Sequence, residues 1–383
     1  MKKEFEKLFE PVQFKSGIKI NSRFVMSPMV VEGSTYEGYV GEEDLSYFER
    51  RANVSDLLIS GATSIAKDAN AFGYGLTNAD ESYLEGMKKL AATMKKNGAK
   101  AITQLFHPGY AAKYSYQENK NVYAPSAIPF SFLDYPTTEL SEAEVEQLVR
   151  GFGEAALRAI YAGFDGIEIH GANHYLIQQF FSKTSNKRSD KWGGSLENRA
   201  RFALAIVDEI QHVIRENAER PFVLGYRLSP EEIHEETVGY TLDDTLYLIK
   251  QLNERELDYV HLSLFGPSGY RSKAVLGNRT GEVIARVVKE NLNNATRLIV
   301  AGDITSADKA LEAVKYADIA ALASAVIVDP EFVEKIKVGA ENTISLDITN
   351  RLEELKLPRN FYLVKSAMTS NKSIPQITLD AIK

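Results

Sequence analysis

Residues 142–170 read EAEVEQLVRGFGEAALRAIYAGFDGIEIH and join two different hydrophobic patterns. Apolar residues recur over Glu142–Tyr161 with the spacing of an amphipathic helix, whereas DGIEIH, which begins at Asp165, is a short apolar run typical of a buried strand. A capping box from Ser141 to Glu144 marks the place where the helix begins. The segment therefore predicts one helix followed by one strand.

This unit repeats along the chain. Continuous apolar strands that alternate with helices predict a parallel sheet covered on both faces, and eight such units favour closure into a (β/α)8 TIM barrel over the alternative, an open doubly wound sheet. A second capping box from Thr305 to Asp308, and Pro330 as the first helical position after Asp329, predict two later helix starts. The strand-like runs begin at Arg23, Asp56, Lys100, Asp165, Phe222, Asp258, Arg297 and Asp318, and the further helical stretches cover residues 84–96, 196–214, 242–252 and 307–314.

Three segments lie outside the repeating units. Residues 12–20, VQFKSGIKI, alternate polar and apolar positions around Ser16-Gly17 and predict an N-terminal β-hairpin lid. The aromatic-rich segment 106–140 predicts a long loop excursion after the third strand. No linker divides the chain, so we expect a single domain over residues 1–383, in which residues 341–383 form a C-terminal tail packed on the barrel or on a neighbouring subunit.

Charge and cysteine content exclude several classes of protein. The net charge is −7 and no long basic run is present, so nucleic acid is not an expected partner. The absence of cysteine excludes disulfides, thiolate nucleophiles and cysteine-ligated metal centres. The N-terminal segment lacks the apolar core of a signal peptide and no run of about 18 apolar residues occurs, so we expect a cytoplasmic protein without a membrane partner.

The barrel prediction also locates the candidate site, because the active sites of such barrels are built at the C-terminal ends of the strands. Gln104 offers an amide and Arg227 a fixed positive fork, which together suit the polar edge of an electron-rich ring. Gly302 permits close backbone approach at the end of strand 7, where, together with strand 8, phosphate-binding barrels hold phosphate. A ring with a phosphate tail fits these groups. The strand ends collect Ser27, Pro28, Met29, Gly61, Ala62, Gln104, His107, His170, Asn173, Tyr175, Arg227, Ser263, Gly302, Ala323 and Ser324.

The residues that follow strand 4 supply the reactive groups. His170 and Asn173 provide two hydrogen-bond donors for a carbonyl or phenolate oxygen, and Tyr175 provides a phenolic proton. This combination indicates a reduction site. His170 and His174 also have an H-x-x-x-H spacing, but they directly follow a strand and no third ligand is evident, so we expect no metal. His261 lies inside a strand and is expected in the core.

The segment 170–202, HGANHYLIQQFFSKTSNKRSDKWGGSLENRARF, strongly resembles the strand-4 signature of the Old Yellow Enzyme family. Flanking segments agree in order: LFEPVQFKSGIKINSRFVMSPM at the start, KAITQLFHPG at strand 3, GYRLSPEE at strand 5, then AGDITS and ALASAVIVDP near the end. The similarity covers residues 8–340, and it implies an NAD(P)H:flavin oxidoreductase of the ene-reductase type.

The resemblance assigns a role to each candidate residue. It implies FMN over the barrel mouth, NADH or NADPH as reductant, and hydride transfer to activated alkenes such as enones, or to quinones and nitro compounds. Tyr175 would be the proton donor, and His170 and Asn173 would bind the substrate oxygen. The residues implied for the flavin are Gln104 and Arg227 at its pyrimidine edge, Pro28, Met29 and Ala62 at its ring, and Gly302, Ala323 and Ser324 at its phosphate.

Two positions depart from the family pattern. Val30 stands where many members have a cysteine or threonine that donates to flavin O4, and Ala323-Ser324 stands where the family has a glycine–arginine pair on the phosphate. Arg271 and Lys273 follow strand 6 and are candidates to replace that arginine. The alternative function is therefore a degenerate flavin-binding barrel with little turnover. A Schiff-base aldolase or a metal-dependent lyase is disfavoured because no strand ends in lysine and Glu168 is the only carboxylate candidate of strand 4. A homo-oligomer is compatible with the sequence.

Overall fold

Eight parallel strands close into a barrel in the computed structural model, which describes residues 1–234, 237–264, 268–365 and 374–382. Each strand pairs with the next along the chain, and the last pairs with the first through Ala320 and Phe24. The predicted TIM barrel is confirmed and the open sheet is wrong. The strands are β1 (Phe24–Met26), β2 (Leu57–Ser64), β3 (Lys100–Phe106), β4 (Gly166–Gly171), β5 (Val223–Leu228), β6 (Tyr259–Leu262), β7 (Arg297–Ala301) and β8 (Ile319–Leu322).

Helices surround the barrel because alternate strand residues point outward and are apolar. The predicted helix Glu142–Tyr161 has the expected bounds, and Ser141 caps it as expected. The described helices are α1 (Glu42–Arg50), α2 (Leu84–Met94), α3 (Lys113–Asn119), α4 (Glu142–Tyr161), α5 (Leu176–Phe181), α6 (Leu196–Asn217), α7 (Leu242–Asn253), α8 (Ile284–Asn291), α9 (Ala307–Ala313), α10 (Ser324–Val328), α11 (Phe332–Lys337) and α12 (Gln376–Ala381).

Two predicted helix starts are wrong. The N-cap of α9 is Ser306 and not Thr305, because the Ser306 hydroxyl accepts from the backbone N–H of Lys309, whereas the Thr305 hydroxyl binds the Lys309 ammonium. Pro330 precedes α11 instead of opening it. The Asp329 carboxylate binds the Lys335 ammonium at 2.6 Å, so it does not cap the helix.

The interior of the barrel changes from apolar to polar along its axis. Side chains at the N-terminal end, such as Ile102, Val223 and Tyr259, form an apolar cluster. Two residues further along the same inward face lie Gln104 on β3 and His261 on β6, both buried. The apolar half fills the barrel, and the polar half faces the C-terminal end of the strands.

The N-terminal hairpin covers the apolar end of the barrel. Val12 pairs with Ile20 in an antiparallel register, and Gly17 adopts φ +93° in the turn. The backbone N–H of Ser16 donates to the Asp258 carboxylate at 2.7 Å, just before β6. The hairpin therefore lies at the end opposite to the strand ends that carry the candidate residues.

Two longer connections and the tail complete the fold. The excursion after β3 contains α3 and a short parallel pair between Tyr123–Ala124 and Thr138–Glu139. After β5, Glu232–His234 pairs with Thr237–Tyr240 as a second hairpin. The described part of the tail packs on the barrel, with Leu355 fully buried. No helix among the described residues is long and apolar enough to cross a membrane.

Candidate active site

A cavity of about 310 Å³ opens at the C-terminal end of the barrel, a size within the range of roughly 300–1,000 Å³ that is usual for ligand pockets. All eight strands, or the residues directly after them, contribute to its wall. The structure brings every site residue named from the sequence onto this wall: Tyr175, His170, Asn173, Pro28, Met29, Ala62, Gln104, Arg227, Gly302, Ala323 and Ser324. Val30 lies on the wall with them.

His107 does not lie on the wall. Its buried ring accepts a hydrogen bond from the backbone N–H of Gly109 at 3.1 Å, and burial lowers the pKa of the ring to about 4. The neutral ring holds the turn after β3, so His107 is structural.

A buried carboxylate, that of Glu168, lies behind the polar residue Gln104 of the cavity wall. Glu168 accepts from the Gln104 amide at 2.6 Å and contacts Nδ1 of His261 at 2.8 Å. Burial alone would raise the pKa of Glu168, but the neighbouring His261 and Arg227 and the hydrogen bond from Gln104 bring it below its ordinary value. His261 is thus buried as expected, but it binds a carboxylate instead of packing among apolar groups.

This network fixes which atom Gln104 can present to a ligand. Because Nε2 of Gln104 is engaged with Glu168, its amide oxygen is the atom that can accept from a ligand N–H. Arg227 donates to the Ser263 hydroxyl at 3.1 Å, and its buried Nε has no partner. The cavity therefore offers an acceptor and an unsatisfied cationic donor side by side.

The wall after β4 presents donors. Nδ1 of His170 accepts from the backbone N–H of Ala172 at 3.3 Å, and burial together with Arg227 holds the pKa of His170 well below its ordinary value. The neutral ring therefore carries its proton on Nε2. The Asn173 amide oxygen accepts from the Ser263 hydroxyl at 2.8 Å, so the amide nitrogen of Asn173 is left to donate.

Ser263 links the two halves of the site, since it accepts from Arg227 and donates to Asn173. The sequence placed Ser263 at a strand end but gave it no role. The sequence could not reveal that Ser263 connects Arg227 to Asn173, because these partners lie on β5 and after β4, far from Ser263 in the chain.

Tyr175 is enclosed by aromatic rings. Its ring centroid lies 4.9 Å from that of Phe106 and 5.0 Å from that of His170, and Phe72 packs at 6.3 Å. Burial raises the pKa of Tyr175, so its hydroxyl stays protonated at neutral pH. Phe72 also lines the cavity and was missed by the sequence analysis, because it lies in an irregular loop after β2.

The far side of the cavity is formed by the ends of β7 and β8. Gly302 has φ +111°, and a Cβ there would lie 2.3 Å from the carbonyl oxygen of Leu264, so only glycine fits. The next residue, Asp303, binds the Lys309 ammonium at 2.7 Å and contacts Arg271 at 3.5 Å. Lys273 lies in a neighbouring cleft instead. Arg271 and Lys309 are thus the cations that contact Asp303 on this wall, and both are already paired with carboxylates.

Comparison with known proteins decides the family. The sequence pattern of the NADH:flavin oxidoreductase / NADH oxidase family matches residues 7–343. The chain belongs to this family, that of the Old Yellow Enzyme. It is therefore a flavin-dependent NAD(P)H oxidoreductase on the family's TIM barrel.

Individual relatives of this chain are also oxidoreductases by name. A probable NADH-dependent flavin oxidoreductase of Bacillus subtilis is 40% identical over 345 residues, covering 90% of this chain and 91% of the relative. An NADH:fumarate oxidoreductase of Klebsiella pneumoniae is 36% identical over 92% of this chain, which spans 38% of that longer protein. The structure of morphinone reductase in complex with tetrahydroNAD superposes with a TM-score of 0.74 at 26% identity, over 87% of this chain and 91% of that one.

Proposed function

We propose that this chain binds FMN and uses NADH or NADPH to reduce activated C=C bonds, enones above all, and also quinones or nitro compounds. The observation that carries the proposal is the arrangement of two fixed donors, His170 and Asn173, with the protonated Tyr175 on one wall of the cavity. The name of the Klebsiella relative supports the substrate class, because fumarate is an alkene conjugated to carboxylates.

The described residues fit a flavin. The unpartnered Nε of Arg227 and the oriented oxygen of Gln104 match the acceptor and N–H groups of a pyrimidine edge. Pro28, Met29 and Ala62 offer an adjacent wall for the ring, and Gly302 lies on the wall that would receive the phosphate. When bound, FMN supplies the hydride.

The chain's own residues would then complete the reduction. Nε2 of His170 and the amide nitrogen of Asn173 bind the carbonyl oxygen of the substrate and stabilise the negative charge that develops on it. The Tyr175 hydroxyl gives its proton to the α-carbon, the atom next to the carbonyl. Phe72 and Phe106 keep water away from the Tyr175 ring.

The test separates the two half-reactions. In Tyr175→Phe, we expect NADH or NADPH to bleach the flavin anaerobically at the normal rate, whereas reoxidation by 2-cyclohexenone slows by about 10²–10⁴-fold, the usual contribution of a general acid. Tyr161→Phe, at an exposed tyrosine of α4, is the matched control. Equal loss in both half-reactions would remove Tyr175 from the role of proton donor.

A second function, a degenerate flavin-binding barrel, is motivated by Ala323-Ser324 and by the paired state of Arg271 and Lys309. Purified protein that binds FMN but is not bleached by either nicotinamide would support it. A protein that cannot be loaded with FMN would contradict both functions.

A further inference from the structure

A second polar cluster lies beside the cavity, on the other side of the turn that carries Asn173 and Tyr175. It consists of His174, Glu232 and His234 and is called the His174 cluster below. One ligand atom from each residue lies within 4.8 Å of the others. His174 belongs to the turn after β4, whereas Glu232 and His234 come from the hairpin after β5.

We propose that the His174 cluster binds one divalent transition-metal ion, zinc being the closest match to its ligands. Two imidazoles and one carboxylate form a common ligand set for zinc, with further coordination left to water. The chain has no cysteine that could compete as a ligand, and the His174 cluster is the one such group of three among the described residues. The proposal does not depend on the flavin chemistry.

The spacing of the ligands is close to that of a formed site. Nitrogen or oxygen ligands about 2.0–2.1 Å from zinc at tetrahedral angles lie about 3.4 Å from one another. Nδ1 of His174 and Oε2 of Glu232 are 3.5 Å apart. The His234 ring centroid is 5.1 Å from that of His174, and because the His234 side chain is exposed, it can approach by a small rotation.

Glu232 is prepared as an anionic ligand. It is 5% exposed, and its carboxylate accepts from the hydroxyls of Ser182 and Thr184 and from the Gln178 amide. Among the described ion pairs, Glu232 has no lysine or arginine partner, so a buried negative charge faces two imidazoles.

A further side chain fixes two ligands relative to each other. The Gln178 oxygen accepts from the backbone N–H of His174 at 2.9 Å, while the Gln178 nitrogen donates to Glu232 at 2.8 Å. Outer groups of this kind orient ligands in metal sites. His174 itself has φ +62°, a backbone conformation that is rare for residues other than glycine and that often occurs at functional sites.

The experiment measures metal binding directly. Untagged, flavin-loaded protein is freed of metal with EDTA and titrated with ZnCl2 in a calorimeter. We expect one zinc ion per chain, and we expect His234→Ala to weaken binding by at least about 10–100-fold, the loss typical of even an outer-shell change. His212→Ala, at an exposed histidine of α6, is the matched control and leaves zinc affinity unchanged.

A second variant and a spectroscopic readout keep the result unambiguous. Glu232→Gln keeps the size of the side chain but removes its charge, and it weakens zinc binding as His234→Ala does. X-ray absorption at the zinc edge shows histidine ligands in the wild type and one fewer in His234→Ala. Absence of stoichiometric binding, or equal affinity in His234→Ala and His212→Ala, overturns the proposal.

Discussion

Glu168 places a negative charge directly below the polar end of the cavity. It is fully buried and holds both Gln104 and His261, and the positive charge of Arg227 lies close to it. A buried charge acts strongly on its neighbours because little water screens it. We therefore expect this carboxylate to influence how readily the bound flavin takes up electrons.

Glu168→Gln should make the bound flavin easier to reduce. Glutamine can still accept from Gln104, but the removed charge no longer opposes the electrons added to the ring. We expect the midpoint potential to rise by about 30 mV, equivalent to ~1.4 kcal/mol for a two-electron couple. Equilibration with a reference dye measures it, and Glu290→Gln on the exposed face of α8 is the control. A potential that is unchanged or lower would contradict the role of Glu168.

Val30→Thr tests one of the two departures from the family pattern, the one expected at the flavin ring. Valine cannot donate a hydrogen bond, whereas threonine of similar shape can. With Val30 on the cavity wall, we expect the added hydroxyl to raise the flavin midpoint potential by stabilising charge on the reduced ring. The same dye equilibration measures the change. If the potential does not move, the hydroxyl has no partner on the flavin.

The residues of the cavity could be named from the sequence because strand ends share one rim in a closed barrel. The sequence could not show which atom of each side chain faces the cavity. Which amide atom Asn173 and Gln104 present to the cavity depends on Ser263 and Glu168, which are distant in the chain. The His174 cluster escaped for the same reason, since the sequence paired His174 with His170, whereas the structure brings His174 to Glu232 and His234 of another hairpin.

The short segment after β7 places a carboxylate on the cavity wall that is formed by the ends of β7 and β8. Asp303, with φ +55°, faces the cavity and is paired with Lys309 and Arg271. A carboxylate on this wall opposes an anion and neutralises the cations that would attract it. The sequence resemblance implies an arginine where this chain has Ser324, and we expect its absence to matter more here than it would beside unpaired cations.

Asp303→Asn should strengthen FMN binding. Asparagine tolerates the left-handed conformation and still accepts from Lys309, but it carries no charge. We expect a gain of about 1 kcal/mol, or about fivefold in Kd, the size of a charge interaction at a partly solvated site. Riboflavin, which lacks the phosphate, serves as the internal control in fluorescence titrations. An equal gain for riboflavin would show that charge on the phosphate is not the cause.

Elements with local signals were predicted well, and elements fixed by distant partners were not. Ser141 caps α4 through its own neighbour Glu144, so four adjacent residues suffice. Asp329 looks equally like a helix start, but its carboxylate binds Lys335 and the backbone N–H of Ser345. The helices that were not assigned are short, and their burial comes from tertiary packing; they are α1, α3, α5, α8, α10 and α12.

Arg51 connects the C-terminal tail to the barrel through buried hydrogen bonds. Its guanidinium is fully buried and donates to the carbonyl oxygens of Tyr47, Ile327 and Leu355, and also to that of Val326. It thereby joins α1, the tail and α10, the helix that begins at Ser324. Arg51 therefore connects the tail to a helix whose first residue, Ser324, lies on the cavity wall.

Arg51→Met should lower the free energy of unfolding by at least about 3 kcal/mol, because it leaves several buried carbonyls without donors. Urea unfolding followed by circular dichroism measures the loss. Arg359→Met is the control, since Arg359 is 81% exposed and its ion pair with Glu43 contributes about 0–1 kcal/mol. If the free energy of unfolding falls equally in the two variants, the buried hydrogen bonds of Arg51 do not contribute more to stability than an exposed ion pair.

The hairpin at residues 12–20 has a kinetic consequence. Together with the apolar layer of Ile102 and Tyr259, it closes the far end of the barrel in the part of the chain that the structure describes. We therefore expect nicotinamide and acceptor to enter through the same mouth and to occupy the same wall in turn. The oxidised nicotinamide has to depart before the alkene can enter, so steady-state plots at several fixed NADH concentrations should be parallel lines.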